Sequence, residues 1–493
     1  MRKKNWYTRF GMLFVALLLL ITTASLPFAA AAEPPKLGIV IDESGTMLLN
    51  GKPYRAYGMN YFDAFIGLLR GTTTVEEVES EFAILQKYKI PAVRIMMCGF
   101  YPNEVIKYQD MPKEYFAKMD SVVALAEKYE VGIIADLFWC FHSIPDLCNE
   151  SMTAASMPGS RSIKMASEYA AKVITRYKKS PAIWAWEIGN EYSLAADLHE
   201  VIPPDYNTLH FAGISGGKTP RTTADNMTSA HFQSMNREVS KAMRAADPTR
   251  MLTGGESEPR TAAYHLFKFN RWDKDTPDEM GMMMNMFCPS PLNTMSVHFY
   301  QDDMKAATLE DFDTQMRDYI AQSRKYKKGL LVGEFGAMEI EMPGEQPARQ
   351  ARASEIIKSQ MAAIYKHGAQ LAFMWVYGKN DGDPMDIIPG VQNAYQFDLV
   401  LEGNRQFVAD GVQDTEAYWK DVPKPILNPS SELPAEEIVF EETSRNLNSA
   451  SENKLAGSDT LILITVIIAS AICCVIVAAT AVLLLKNKYR KGT

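Results

Sequence analysis

Two glutamates stand out by where they occur. Glu191 follows the run Ile183-Trp184-Ala185-Trp186-Glu187-Ile188-Gly189-Asn190, and Glu334 sits between glycines in Leu331-Val332-Gly333-Glu334-Phe335-Gly336. A carboxylate at the end of an apolar strand is badly placed for a surface role. Two of them suggest paired-carboxylate chemistry. Held ~5–5.5 Å apart, one attacks an anomeric carbon while the other protonates the leaving group and later takes a proton from water. Their surroundings must push the two pKa values apart. Other residues fit that task. Asn190 can bind a sugar hydroxyl. Arg94 and Tyr300 can hold a carboxylate's charge and lower its pKa, and His298 shares a strand face with Tyr300. Trp375 offers an apolar face to a pyranose ring.

Such residues need a scaffold. Eight apolar runs predict strands at Tyr54–Asn60, Ala92–Ile95, Val131–Leu137, Ile183–Asn190, Met251–Gly254, Met295–Tyr300, Leu330–Glu334 and Leu371–Tyr377. Amphipathic helices fit between them. Thr74 and Glu77 form a capping box beside the apolar face Val75, Val78, Phe82 and Leu85. Ile163, Ala166, Ala170, Val173 and Tyr177 form a second face, and Leu309, Phe312, Met316 and Ile320 a third. Strands alternating with helices imply parallel pairing and right-handed crossovers. The count of eight points to a closed (β/α)8 TIM barrel, with an open doubly wound sheet as the alternative. In a barrel the site lies at the strands' C-terminal ends. The long segment 256–293 would wall it, with the methionine-rich stretch Met280–Met286 as a loop of soft contacts.

Taken in order, these strand ends resemble glycoside hydrolase family 5, the cellulase and mannanase type among the retaining (β/α)8 glycosidases. Gly58-Met59-Asn60 is similar to its first-strand motif. Arg94 ends the second strand, Asn190-Glu191 the fourth and His298-Phe299-Tyr300 the sixth. Gly333-Glu334-Phe335-Gly336 ends the seventh, and Trp375 lies on the eighth. The resemblance implies Glu191 as acid/base and Glu334 as nucleophile. Arg94, Asn190, His298, Tyr300 and Trp375 would bind substrate, a β-linked glycan of glucan or mannan type, without metal or organic cofactor. One departure concerns the stretch after the third strand. The family usually has a histidine there; here Phe138 and Trp139 come first and His142 is displaced. Exo action within the same clan, and a barrel that binds glycan without cleaving it, are the competing readings.

The ends of the chain read differently from its middle. Arg2, Lys3, Lys4 and Arg9 precede an apolar run and Ala30-Ala31-Ala32, so residues 1–32 read as a signal peptide, with an uncleaved anchor as the alternative. The catalytic domain spans 33–429. Residues 430–459 form an acidic, Ser/Asn-rich stalk. Residues 460–485 are a membrane span, containing the uncharged stretch Leu461 to Leu485. Residues 486–493, with Lys486, Lys488, Arg490 and Lys491, form a cytoplasmic tail. The expectation is a single-pass type I membrane protein with its catalytic domain outside. Net charge of −8 and pI ≈ 5.6 argue against nucleic acid as a partner. Cys98, Cys140, Cys148 and Cys288 could form disulfides in any of three full pairings. Asn149 and Asn226 lie in glycosylation sequons. Gly213–Thr219 misses the phosphate-loop spacing by one residue and reads as a loop. Composition leaves the oligomeric state open.

Overall fold

The structure, a computed structural model, describes residues 36–423 except 199–222, 301–308, 340–341, 343 and 379–384. The signal segment, the stalk, the membrane span, the tail and the Gly213–Thr219 loop lie outside the described residues.

The chain opens with a small antiparallel sheet: β1 (Ile39–Ile41), β2 (Met47–Leu49) and β3 (Lys52–Pro53). Eight parallel strands follow: β4 (Ala56–Asn60), β5 (Ala92–Met96), β6 (Gly132–Phe138), β7 (Ile183–Gly189), β8 (Met251–Thr253), β9 (Thr294–Phe299), β10 (Gly329–Phe335) and β11 (Leu371–Met374). They close into a barrel in chain order, with β11 pairing back to β4. Each of the eight expected strands is present, within a few residues of its expected bounds. Every residue of these strands is buried. That burial explains why they read as near-continuous apolar runs.

Eight longer helices surround the barrel: α1 (Val75–Lys87), α2 (Pro112–Lys128), α3 (Arg161–Tyr177), α4 (Ser229–Ala246), α5 (Pro277–Phe287), α6 (Leu309–Lys325), α7 (Gln346–His367) and α8 (Tyr395–Ala409). The Thr74–Glu77 capping box opens α1. Val78, Phe82 and Leu85 face inward there, but Val75 is exposed. The face of α3 is buried as expected. Met280–Met286 belongs to α5 and is not a loop. Met283 and Met284 pack inward while Met282 faces out.

The N-terminal sheet covers the floor of the barrel. Val40 bridges to Arg250, and a Cβ at Gly38 would come 2.7 Å from the carbonyl of Ile183. Tyr54 and Tyr418 close edge-on around Trp184. All four described cysteines are free thiols. Asn149 caps a short helix in the left-handed region, and Asn226 is buried, which removes it as a ready glycan acceptor. Among the described residues, no helix is long and apolar enough to cross a membrane.

Candidate active site

Side chains alternate along a strand, so every second residue of a barrel strand enters the lumen. Near the C-terminal end, β5 contributes Arg94, β6 Asp136 and β7 Glu187. From the other side, β9 contributes His298 and β10 Glu334. Register sets them level: Asp136 lies opposite Glu187, and His298 opposite Glu334. A register shift between Val332 and Glu334 marks a bulge at Gly333. Bulges re-aim the side chain that follows. A Cβ on Gly333 would meet His298 Nε2 at 2.9 Å, so this glycine makes room for the histidine.

Arg94 is fully buried and is the hub of the site. Its Nη1 donates to Glu334 Oε1 at 3.1 Å and to Asn60 Oδ1 at 3.2 Å. Its Nε donates to Glu187 at 2.5 Å, and its Nη2 donates to Asn190 Oδ1 at 2.8 Å and lies 3.6 Å from Asp136. The donor from Arg94 fixes which end of the Asn190 amide faces it, leaving the Asn190 NH2 for a sugar hydroxyl. Asn60 Nδ2 donates to the carbonyl of Gly333 at 3.0 Å, tying the first barrel strand to the bulge.

Glu334 and Glu191 share one histidine. His298 Nδ1 lies 2.7 Å from Glu191 Oε1 and 3.4 Å from Glu334 Oε2. Tyr300 Oη donates to Glu334 Oε2 at 2.9 Å. One oxygen from each glutamate and the histidine nitrogen all lie within 4.8 Å of one another. The two carboxylates differ in access: the Glu191 side chain is 31% exposed and that of Glu334 is 8% exposed. Glu191 adopts φ 56°, ψ 30° just beyond β7, a left-handed conformation uncommon for a side-chain-bearing residue.

Charge in this lumen is unbalanced, with Asp136, Glu187 and Glu334 around one guanidinium. Burial alone would lower the Arg94 pKa, but Glu187, Glu334 and Asp136 together hold it firmly cationic. Burial and then the Glu187 charge push Asp136 well above the carboxylate range, and burial lifts Glu187 as well. Burial also raises Glu334, with the Glu191 charge adding to it. His298, Arg94 and the Tyr300 hydroxyl pull the other way without overcoming burial. Arg94 and Tyr300 act on Glu334 in the expected direction, lowering its pKa, but burial outweighs them and the net shift is upward.

Above Arg94 lies the ring of Trp139, 4.7 Å from the guanidinium. It meets Trp375 at 5.9 Å and Phe62 at 4.6 Å between ring centres, forming a part-exposed aromatic corner. Trp375 precedes a cis peptide to Val376. His142 is buried at the start of the helix Ser143–Cys148, edge-on to Phe141.

The seven residues singled out from sequence therefore converge, with Trp375 at the rim of the cluster. Asn60, Trp139, Asp136 and Glu187 join them. The signal for the last two was available, since each is a charged residue inside an otherwise apolar strand. Glu191, His298 and Glu334 also have the spacing of a one-imidazole, two-carboxylate cation site, and the same side chains are engaged with one another and with Arg94 and Tyr300. A second such group, His265, Asp275 and Glu279, lies in the insertion after β8. There Asp275 accepts from the backbone of Tyr264 and His265, and Glu279 caps α5.

Comparison with known proteins agrees with this geometry. A family model described as cellulase (glycosyl hydrolase family 5) matches residues 47–381. No curated protein sequence matches the chain. An endo-1,4-β-mannanase from Rhizomucor miehei superposes with a TM-score of 0.54 at 14% identity, covering 76% of this chain and all of that one. A family 5 mannosidase from the same organism gives 0.53 at 11% identity, over 76% and 98% of the two chains. An exo-β-1,4-mannosidase from Opitutaceae bacterium strain TAV5 gives 0.53 at 14% identity, over 76% and 63%. Identities this low establish a shared fold. The family model spans most of the chain, and with the barrel and its paired glutamates it shows that this chain belongs to glycosyl hydrolase family 5, as an enzyme that hydrolyses glycosidic bonds.

Proposed function

We propose that the protein cleaves β-linked glycans of glucan or mannan type by double displacement, with Glu334 as nucleophile and Glu191 as acid/base. The observation that carries this reading is the separation of the two carboxylates, with oxygens within 4.8 Å. Inversion would need ~6.5–9.5 Å to admit a water between them.

In the first step a Glu334 oxygen bonds to the anomeric carbon while the glycosidic bond breaks. The departing oxygen takes the Glu191 proton. In the second step Glu191, now ionised, removes a proton from water as that water attacks the same carbon and releases Glu334. The exposures support the division of labour: the half-open Glu191 meets leaving group and water, and the enclosed Glu334 meets the sugar. Like charge links the two. Esterification of Glu334 removes its charge, lowers the proton affinity of Glu191 and prepares it to act as base. Asn190 positions a sugar hydroxyl, and Trp375 with Trp139 offers the ring an apolar wall.

The solved structures described above are named as mannanases and mannosidases, which makes β-1,4-mannan the first substrate to try, beside β-1,4-glucan. Endo and exo action are separated by the products from a hexasaccharide, internal cleavage in one case and monosaccharide release from one end in the other. The uncharged stretch 461–485 and the basic tail support a catalytic domain tethered outside a membrane; membrane fractionation of the full chain, with protease digestion of the intact vesicles, tests it.

The chemistry is tested with azide. Glu191→Ala should retain cleavage of a dinitrophenyl glycoside and, with azide, give the β-glycosyl azide. Glu334→Ala with azide should give the α-azide. An α-azide from the Glu191 variant would mean the roles are exchanged.

A further inference from the structure

Within its own turn the Glu191 carbonyl accepts from Leu194 N–H at 3.0 Å. The short helix it precedes, Tyr192–Ala195, has no side-chain cap of its own. A left-handed residue of this kind is strained and persists only where its surroundings enforce it.

The enforcement comes from the segment after β8. β8 pairs with β9 through only Thr253 and Thr294, and beyond Thr253 the chain turns toward the end of β7. Three consecutive residues then clasp alternate residues of the acid/base segment. The Gly254 carbonyl accepts from Gly189 N–H at 3.2 Å, and the Gly255 carbonyl accepts from Glu191 N–H at 2.9 Å. The Glu256 carboxylate accepts from Ser193 N–H at 2.7 Å, taking the place of the missing cap. Gly255 must be glycine: its φ is +75°, and a Cβ there would come 1.7 Å from the Gly189 carbonyl. Glu256 is buried, and its second oxygen accepts from Asn236 Nδ2 of α4 at 3.2 Å. Asn236 also donates to the Phe287 carbonyl at the end of α5, which anchors the clasp to the outer helices.

We propose that Glu256 is the positioning residue of the acid/base: its carboxyl group fixes the turn that aims Glu191 and, where ionised, places a second negative charge behind it. The inference rests on Glu191 being the acid/base. Burial lifts the Glu256 carboxyl to about 7, with the Glu191 charge contributing, so the clasp loses its charge as pH falls through neutrality. Among the described residues, the titratable groups coupled to Glu256 are Glu191 and Tyr192 from the strand end and Cys288 beyond α5.

The test uses the full chain in detergent, with 2,4-dinitrophenyl β-mannoside and mannohexaose, or their glucose counterparts if those are the sugars cleaved. Loss of aim should act like partial loss of the acid. Glu256→Ala should lower kcat/KM for the hexasaccharide by about 30–100-fold, the scale of a misplaced catalytic group. It should leave kcat/KM for the dinitrophenyl glycoside within about 3-fold, because that leaving group needs little proton donation. Glu256→Gln keeps an oxygen for Ser193 N–H and should restore most of the hexasaccharide rate. It should also move the basic limb of the kcat/KM profile to lower pH, because Glu191 then lacks a like charge behind it. Equal loss on both substrates, no loss on either, or an unmoved limb in Glu256→Gln overturns the inference. A Glu191→Ala control that loses both substrates equally overturns the acid/base reading and this inference with it. A control showing the leaving-group dependence beside an indifferent Glu256→Ala overturns this inference alone.

Discussion

Two buried arginines, one at each end of the barrel, show how differently the fold treats charge. Arg250 lies at the floor. Its guanidinium donates to the carbonyls of Ile183, Lys178 and Ser180 and to one carboxylate, Asp247 at 2.7 Å. Burial alone would raise Asp247, but Arg250, the Trp186 indole N–H and the Thr249 backbone bring its pKa down to about 2. Arg94 lies at the mouth among three buried acids, and there burial wins: Asp136, Glu187 and Glu334 are all raised. One cation with one anion and a ring of carbonyls is a satisfied structural site. One cation with three anions is held at a cost in stability, which is what a site with protons to move requires.

The contrast is sharpest when each arginine is removed. Arg94→Met leaves three acids without their guanidinium, and kcat/KM should fall by about 10³-fold on all substrates, including dinitrophenyl glycosides, because the nucleophile loses its charge partner. Arg250→Met leaves Asp247 buried and unpaired. It should cost about 3 kcal/mol of stability in denaturant melts, with kcat/KM of the folded protein unchanged. Activity loss of similar size in both variants would erase the distinction between mouth and floor.

Acid should separate the two ends as well. The folded pKa of Asp247 is depressed, so its contribution is present above the unfolded value near 4 and is lost as pH falls through about 2. That contribution is about 2 kcal/mol. Acid melts of the parent should show this loss below pH 4, and Arg250→Met should lack it. The mouth has the opposite sign. With raised folded pKa values, Glu187 and Asp136 cost nothing below their unfolded values near 4, and their penalty grows as pH rises from there toward the raised folded values, above which it is complete. The smallest effect follows: Glu187→Gln should raise stability at pH 7 by about 1 kcal/mol and change nothing at pH 4. A loss of stability at pH 7 would show that Glu187 is ionised and net stabilising beside Arg94.

The barrel was legible because its strands are buried on both faces and end in polar groups. The run Leu330–Glu334 anticipated Gly329–Phe335 in this way. The floor sheet was missed although its signal was present. Asn50-Gly51 links Leu49 to Lys52 with φ values of 50° and 74°, the two-residue turn that such a dipeptide favours. Strands of three and two residues carry too little periodicity to draw notice. At the site, residue types at strand ends were readable, whereas contacts between strands were not. That His298 bridges both glutamates depends on the bulge at Gly333. That Trp139 rather than His142 covers Arg94 depends on the loop after β6. Glu256 lies beyond a three-residue strand, at the start of an insertion with no repeating pattern, so only the fold brings it to Ser193.

The central claim, that Glu334 forms a covalent bond to the sugar while Glu191 manages the proton, is tested most directly by trapping that bond. The full chain is incubated with a 2,4-dinitrophenyl 2-deoxy-2-fluoro-β-glycoside of the sugar it cleaves, digested, and its peptides are mapped by mass spectrometry. The fluorine slows both steps and the good leaving group restores the first, so the intermediate accumulates. The expected result is one fluoroglycosyl group per chain, on Glu334, with β-configured sugar as the first product from natural substrate. An unlabelled protein that releases α-configured product, or a label on Glu191, would contradict it.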